Sequence, residues 1–188
     1  MRLPVVLAAA LALSVAAYGQ TVDLSGSAAG GGIVIATAGP VTLTGIVAET
    51  NMVSLRIPGG TIGRNGLVEL RTLWSMTNST NAKTVWTRYS ATPGSTTALQ
   101  FNAQNVFTTV ATAQGMSMLG GNNSTSSQIE YYTNASGFTG PYGTSGANIG
   151  TFSLDTTADT YVCINGQIAA AGETLTLQHA AVVVFPSP

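Results

Sequence analysis

Short runs of alternating apolar and polar residues recur along the chain from about position 33 to position 185. The clearest run is LVELRTLWSM at positions 67–76. It places Val68, Leu70, Thr72, Trp74 and Met76 on one face and Glu69, Arg71 and Ser75 on the other. A period of two residues is that of a β-strand with one buried face.

Gly, Pro and Asn separate these runs at about the 8–12-residue spacing that is typical of β-sandwiches and barrels. We predict eight to ten strands and no helix after residue 32. The candidate runs for these strands, besides 67–76, are 33–36, 41–47, 50–57, 84–89, 128–133, 151–155, 160–165 and 174–185, and 98–101 and 106–113 could be strands too. Tight turns are predicted at Arg64-Asn65-Gly66 and at Asn165-Gly166, and a turn or a bulge at 102–105. Positions 120–127 and 134–150 read as polar loops.

The fold class predicted from this pattern is all-β, an antiparallel β-sandwich that spans residues 33–188 as one domain. Strict alternation along each strand predicts which side chains form the core. The predicted core includes Val68, Leu70, Trp74, Val85, Ile129, Leu154, Val162, Ile164, Leu175, Leu177, Val183 and Phe185.

The N-terminal segment 1–20, MRLPVVLAAALALSVAAYGQ, differs from the rest of the chain. One Arg precedes an apolar run, and small residues follow it, which is the pattern of a secretory signal peptide. The same run is near the lower length limit for a membrane span. It is therefore either a cleaved signal or a retained anchor, joined by the small-residue linker 21–32 to the sandwich. As a retained anchor it would be buried in a partner, a neighbouring subunit or a membrane.

Composition narrows the possible functions. Hydrophobic residues make up 45 % of the chain and charged residues only 7 %, with a net charge of −1. No basic surface for nucleic acid is expected from such a chain. The single cysteine, Cys163, excludes an internal disulfide and a Cys-based zinc site. It shares a strand face with Tyr161, opposite to Val162 and Ile164, and we predict a buried or half-buried free thiol with a packing role only.

Candidate catalytic and metal-binding residues are few. His179 could form a triad only with Asp155 or Asp159 and a serine, and no G-x-S-x-G motif is present. Alternation places His179 on the face of Leu175, Leu177 and Ala181, where a strand residue with one hydrogen bond is expected. Asp155 is expected to cap the following turn. A glycosidase pair from Glu69 and Glu130, or a calcium site from the two aspartates with Asp23 or Glu173, has no supporting spacing. We therefore predict no catalytic residue, no cofactor and no metal.

The aromatic residues allow two interpretations. Trp74, Trp86, Tyr89, Tyr131 and Tyr132 could form a platform on which a sugar stacks. Trp74 alternates with Val68 and Leu70, so core packing is the preferred interpretation for it. Trp86 falls on the face opposite to Val85 and Tyr89, which makes it a candidate for a subunit interface.

Two segments carry a resemblance to a known family. Positions 56–85, RIPGGTIGRNGLVELRTLWSMTNSTNAKTV, contain the patterns IP-x-x-x-[ILM]-G-x-N-G and [ST]-N-[ST]-x-x-x-K-T on either side of an alternating strand. Positions 155–185, DTTADTYVCINGQIAAAGETLTLQHAAVVVF, are similar to a closing pattern DTTxxQTLxITGQxAxAGDTxTLExxxVEV. Together they resemble the two ends of a small domain found in tailed-bacteriophage virion proteins. Asn165 stands where Thr is usual, and His179 stands near a commonly acidic position.

The resemblance implies a jelly-roll sandwich on the virion exterior, as a capsid decoration or cement protein or as a fibre, without catalysis. On that basis we expect a homotrimer that contacts major capsid or tail proteins and no nucleic acid. A host surface glycan or receptor is a further candidate partner. The alternative is a secreted or cell-surface bacterial adhesin or carbohydrate-binding module with a cleaved signal peptide. A carbohydrate-active enzyme is the third class considered, and the residues do not support it.

Overall fold

The structure is a computed structural model that describes residues 33–37, 40–45, 47–98, 100–131 and 149–187. The predicted N-terminal segment 1–20 and the linker 21–32 lie outside the described residues, and so does most of the predicted loop 134–150. The described residues form strands joined by turns and loops, with no helix among them. The all-β prediction is therefore confirmed for this part of the chain.

Eleven strands occur in the described residues, one more than the upper end of the predicted number. They are β1 (Ile33–Thr37), β2 (Val41–Thr44), β3 (Thr50–Ile57), β4 (Leu67–Met76), β5 (Lys83–Ser90), β6 (Gln100–Phe107), β7 (Thr112–Gly121), β8 (Gln128–Tyr131), β9 (Ile149–Phe152), β10 (Thr160–Ile168) and β11 (Thr174–Phe185). The bounds of β3 and β4 match the alternating runs in the sequence residue for residue.

The strands form two antiparallel sheets. Sheet A has the order β1-β11-β4-β7-β8-β9, and β2 pairs with β11 beyond the end of β1. Sheet B has the order β3-β10-β5-β6. The inner faces of the two sheets share one hydrophobic core, so the architecture is a β-sandwich.

Side chains that alternate along the strands supply this core. β4 contributes Val68, Leu70, Trp74 and Met76, as its sequence pattern predicts. Of the other predicted core residues, Val85, Val162, Ile164, Leu175 and Leu177 are also buried, and Leu154 packs partly buried against them. Burial of apolar area at about 25 cal/mol per Å² is the main force that holds the two sheets together.

Two predicted core residues of β11, Val183 and Phe185, are in fact on the outer face. The register of β11 against β4 shifts between Leu177 and His179. This β-bulge places two successive residues outward and reverses the alternation beyond it. Val182 and Val184 consequently face the core with no exposed area, and Phe185 is 40 % exposed.

The prediction for Ile129 is wrong for a different reason. Ile129 is exposed on the outer face of β8, and the two residues on either side, Gln128 and Glu130, are buried. Gln128 accepts a bond from the backbone N–H of Leu154 and donates one to the Leu154 carbonyl. Pairing of the Gln128 amide with the backbone removes most of the cost of burying it.

Asn165-Gly166, predicted as a tight turn, lies inside β10. The Asn165 side chain is buried and donates to Glu49 and to the Ser95 carbonyl. A Cβ at Gly166 would lie 2.8 Å from Met52 and 2.9 Å from Leu175. The glycine thus serves close packing within the strand rather than a change of direction.

The strands in and after segment 98–113 differ from the candidates at 98–101 and 106–113. β6 continues without interruption from Gln100 to Phe107, and the next strand, β7, begins only at Thr112 and extends to Gly121, where no strand was predicted beyond residue 113. The pairing of β6 with β5 shifts register on both sides of Thr87, opposite Asn102. The bulge alternative for positions 102–105 is therefore confirmed, and the turn alternative is wrong.

Candidate interaction surface

The outer face of sheet A carries most of the exposed large apolar side chains of the described residues. In an antiparallel pair, directly opposite residues point to the same side of the sheet. Leu73 lies opposite His179 on β11 and opposite Gln114 on β7. Leu73 is 47 % exposed, Met116 43 %, Phe185 40 % and Ile129 36 %. We call this surface the outer face of sheet A.

A groove of about 950 Å³ runs over the central strands of this face. Its lining comes from β4, β7 and β11: Arg71, Thr72, Leu73, Gln114, Gly115, Met116, His179, Ala181 and Val183. Apolar walls with a few polar groups are typical of sites that bind another molecule. A sequence signal that could have indicated this surface is Leu73, an apolar residue between Arg71 and Ser75 on the outward side of β4.

Charge on the outer face of sheet A is internally balanced. The Arg71 guanidinium donates to the Glu69 carboxylate, two residues earlier on the same strand. His179 is exposed on this face rather than sharing one with Leu175 and Leu177, because of the bulge in β11. The face therefore presents one neutralised ion pair among apolar side chains.

The outer face of sheet B differs, because a loop covers it. Arg88 on β5 forms a two-pronged ion pair with Glu49, with both N–O distances at 2.7 Å. Arg88 also donates to the Ala98 carbonyl of the covering loop. Burial acts to raise the pKa of Glu49, but hydrogen bonds from Arg88 and Asn165 outweigh it and hold that pKa below its ordinary value. No sequence pattern predicts this network, since its members are far apart in the chain.

Aromatic residues do not form an exposed platform in the described part of the chain. Trp74, Trp86 and Tyr89 are all buried, and burial raises the pKa of Tyr89 to about 12. The side chain of Tyr131, together with all of Tyr132, lies outside the described residues. Trp86 is only 7 % exposed, so the proposal that it presents a subunit interface is wrong.

A buried ion cluster joins the two sheets at one end of the sandwich. Lys83 at the start of β5 is 1 % exposed, and its Nζ lies 3.2 Å from a Glu173 carboxylate oxygen. Lys83 also donates to Ser79 at 2.6 Å and to the Asn81 carbonyl at 2.9 Å. Ser79 and Asn81 donate to the other Glu173 oxygen. Hydrogen bonds from Ser79 first, then from Asn81 and Lys83, hold the pKa of Glu173 below its ordinary value.

Most of the described Lys, Arg, Asp and Glu residues form ion pairs within the chain. Four ion pairs are present: Arg56–Asp159, Arg71–Glu69, Lys83–Glu173 and Arg88–Glu49. Arg64 is the one described base that takes part in none of these. A surface of this kind is polar but almost uncharged, so it offers little electrostatic resistance to close packing against neighbours.

The residues considered for a catalytic triad are not brought together. His179 stands on the outer face of sheet A, whereas Asp155 and Asp159 lie in the loop between β9 and β10. Asp155 accepts bonds from the backbone and hydroxyl of Thr157, which confirms its capping role and lowers its pKa. Asp159 pairs with Arg56, whose hydrogen bond lowers the pKa of Asp159.

The two candidate glycosidase carboxylates project from opposite faces of sheet A. Glu130 lies opposite Leu119, which faces the core, whereas Glu69 lies opposite the outward Met118. Glu130 is 2 % exposed, and within the described part of the chain its Oε1 has no hydrogen-bond partner. Burial raises the pKa of Glu130 to about 8.

The residues proposed for a calcium site are also separated. Asp23 lies outside the described residues, and Glu173 follows the far end of the nine-residue strand β10 from Asp155 and Asp159. At about 3.3 Å per residue, β10 spans roughly 25 Å or more. Among the described residues no group of three or more His, Cys, Asp and Glu side chains could hold a metal ion.

Cys163 is buried as a free thiol, as predicted. It lies on the outer side of β10, where its sulfur is 3.6 Å from the Ser54 hydroxyl and 3.7 Å from the Thr92 carbonyl. Val162 and Ile164 point to the core on the other side.

No helix with the length and apolarity needed to cross a bilayer is found among the residues described. No protein-family model matches the chain, and neither does any curated protein.

Proposed function

We propose that this chain is a non-enzymatic structural protein of a bacteriophage virion, located on the exterior as a capsid decoration or cement protein or as a fibre. The observation that carries the proposal is the buried ion cluster. Ser79 and Lys83 belong to the pattern near the start of the phage-like resemblance, and Glu173 belongs to the pattern near its end. Two patterns that are separated in the sequence thus meet in one contact, as expected if they specify one fold.

We further propose that the sandwich is a jelly roll, the fold that the resemblance implies. Jelly rolls have eight principal strands in two sheets. Eight strands remain when β1 and β2 are counted as one strand and the paired strands β8 and β9 are set aside. These eight form four antiparallel pairs, and each inner pair lies in the chain between the two strands of an outer pair. The four pairs are β1/β2 with β11, β3 with β10, β4 with β7 and β5 with β6. Two further pairings, β11 with β4 and β10 with β5, join them into two sheets.

The chemistry of the surface also supports a structural role. Ion pairs neutralise most of the few charges in the described residues, and Trp74, Trp86 and Tyr89 are buried. Of the candidate catalytic carboxylates, Glu69 and Glu130 project from opposite faces of sheet A, Asp159 is held in an ion pair with Arg56, and Asp155 caps a turn at Thr157. Such a surface suits repeated contact with neighbouring protein subunits. The proposed partners are copies of this chain, as a homotrimer, and the major capsid or tail proteins, with a host glycan or receptor at an exposed end.

Residues 1–20 and the linker 21–32 are proposed to attach the sandwich to the particle. Burying the apolar run would contribute several kcal/mol per copy at about 25 cal/mol per Å². Three linked copies would hold more firmly than one, because each bound copy raises the effective concentration of the others.

The test is incorporation of a variant that lacks residues 2–20 into particles made in an infected host. The proposal expects the variant to remain folded and soluble and to be lost from purified particles, whereas the full chain co-purifies with them. A full chain that is absent from particles and is recovered from the medium without its N-terminal segment contradicts the proposal. That result supports the secreted adhesin instead.

A further inference from the structure

We propose that the outer face of sheet A is the surface through which copies of this chain contact one another. The inference deepens the proposed homo-oligomer, and it rests on the proposed function only for the expectation of three copies. Leu73, Met116, Ile129 and Phe185 are all more than a third exposed on this one face. Large apolar patches on a folded protein mark surfaces that another molecule covers.

The charges of this face favour a second copy over a charged partner. Glu69 and Arg71 neutralise each other on β4. The Arg71 side chain remains 66 % exposed, and that of Glu69 is 12 % exposed. A strongly charged partner would gain little electrostatic attraction from a neutralised ion pair. A second copy of this chain, with a net charge of only −1, meets little electrostatic repulsion there. In addition, each copy offers the other a guanidinium that can share a carboxylate across the contact.

The size of the face fits a stable interface. The strands β4 and β7 are each ten residues long, and β11 and β8 flank them in the sheet. At about 3.3 Å per residue and about 4.8 Å between strands, four strands give a flat footprint of roughly 600 Å². Side-chain relief increases the accessible area beyond that figure, toward the ~800 Å² per partner of a standard protein interface. The groove of about 950 Å³ would accept side chains of the neighbouring copy.

The first experiment measures the mass of the full-length protein in solution by analytical ultracentrifugation at micromolar concentration. The double variant L73D/M116D places two carboxylates on the face, at side chains exposed enough to leave the core intact. The matched control V47D/V106D changes two apolar side chains that are 57 % and 48 % exposed and lie off this face. The proposal expects an oligomer for the wild type and the control, and at least a tenfold weaker association for L73D/M116D.

The second experiment distinguishes this face from contacts made by the N-terminal segment and does not depend on a destabilising change. Leu73→Cys and, separately, Val47→Cys are treated with a short bismaleimide, since the native Cys163 is buried. The proposal expects covalent dimers of the Leu73→Cys chain and none of the Val47→Cys chain. Equal cross-linking of both variants, or of neither, overturns it.

The outcomes separate this inference from the proposed function. An oligomer held by this face in a protein that is absent from virions supports the inference and contradicts the proposed function. The inference is overturned if the purified chain is monomeric and the L73D/M116D variant, but not the control, fails to join particles. In that case a different virion protein covers the face. An oligomer unaffected by L73D/M116D overturns it as well.

Discussion

The buried carboxyl of Glu130 should make the stability of the protein fall as pH rises through the neutral range. Its side chain is 2 % exposed, and its Oε1 has no hydrogen-bond partner among the residues that the structure describes. Burial raises its pKa from the ordinary value of 4.5 to about 8. The folded protein therefore keeps a proton there that the unfolded chain releases above about pH 4.5. For an acid with a raised pKa, stability is greatest below the unfolded value and decreases up to the folded value.

The size of this effect follows from the pKa difference. One pKa unit corresponds to about 1.4 kcal/mol, so the free energy of unfolding should decrease by that amount per pH unit while only the unfolded chain is ionised. Between about pH 5.5 and 7.5 the total is roughly 2–3 kcal/mol. The variant Glu130→Gln has a neutral side chain of similar size at every pH. As the pH rises across this interval, we expect the free energy of unfolding of Glu130→Gln to increase relative to that of the wild type by about 2–3 kcal/mol in total, or about 1.4 kcal/mol per pH unit.

The assay is urea denaturation of the wild type and Glu130→Gln at half-unit steps over this interval. The quantity compared is the difference in free energy of unfolding between the two proteins, and only its change with pH is used. Any pH-independent cost of burying the Gln amide therefore cancels. The control is Asp155→Asn, because Asp155 is exposed and its pKa is lowered by Thr157. Both the folded and unfolded forms of Asp155 are ionised above about pH 5.5, so the control should differ from the wild type by a constant amount. Parallel curves for the wild type and Glu130→Gln would refute the reasoning.

Three further outcomes are expected. Lys83→Met should lower the free energy of unfolding by about 3 kcal/mol or more, because it leaves the buried Glu173 carboxylate without its cation. The double variant Lys83→Met/Glu173→Leu should recover part of that loss when the four proteins of the cycle are compared by urea denaturation. A fully additive cycle would contradict the ion pair. Gly166→Ala should cost about 1–3 kcal/mol, because its Cβ would meet packed side chains of Met52 and Leu175, and an unchanged melting temperature would count against that packing. Cys163 should react with a thiol reagent much more slowly in the native protein than in urea, and equal rates would show that the thiol is exposed.

The sequence predicts the fold well where one strand face alternates without interruption. The run 67–76 became β4 with the predicted faces, because its inward positions are apolar and its outward positions are mostly polar. The same rule fails in the second half of β11. The bulge between Leu177 and His179 reverses the faces, and nothing local in the apolar run 180–185 shows that a residue has been inserted.

Tertiary contacts account for the other differences. Asn-Gly is a strong turn signal, yet Asn165 finds buried partners in Glu49 and Ser95, which are distant in the sequence. Gln128 faces inward because the backbone of Leu154 satisfies its amide. Pairings of this kind depend on the completed fold, so the local pattern cannot reveal them.

The candidate interaction surface was only partly visible in the sequence. Alternation along β4 places Leu73 on the same side as Glu69 and Arg71, but the faces of Met116 and Ile129 could be assigned only after the register of their strands was known. Lys83 and Glu173 lie in the two segments that resemble the phage family, but the sequence alone does not show that these two residues are in contact.

Quantitative mass spectrometry of purified virions tests the central proposal most directly. With isotope-labelled peptides from β4 and β11 as standards, it gives the number of copies of this chain per particle. We expect a fixed copy number that is a multiple of three, together with peptides from the N-terminal segment 1–20. Absence of the chain from particles, with recovery from the culture medium of a form that begins after residue 17 or 19, would contradict the assignment to the virion.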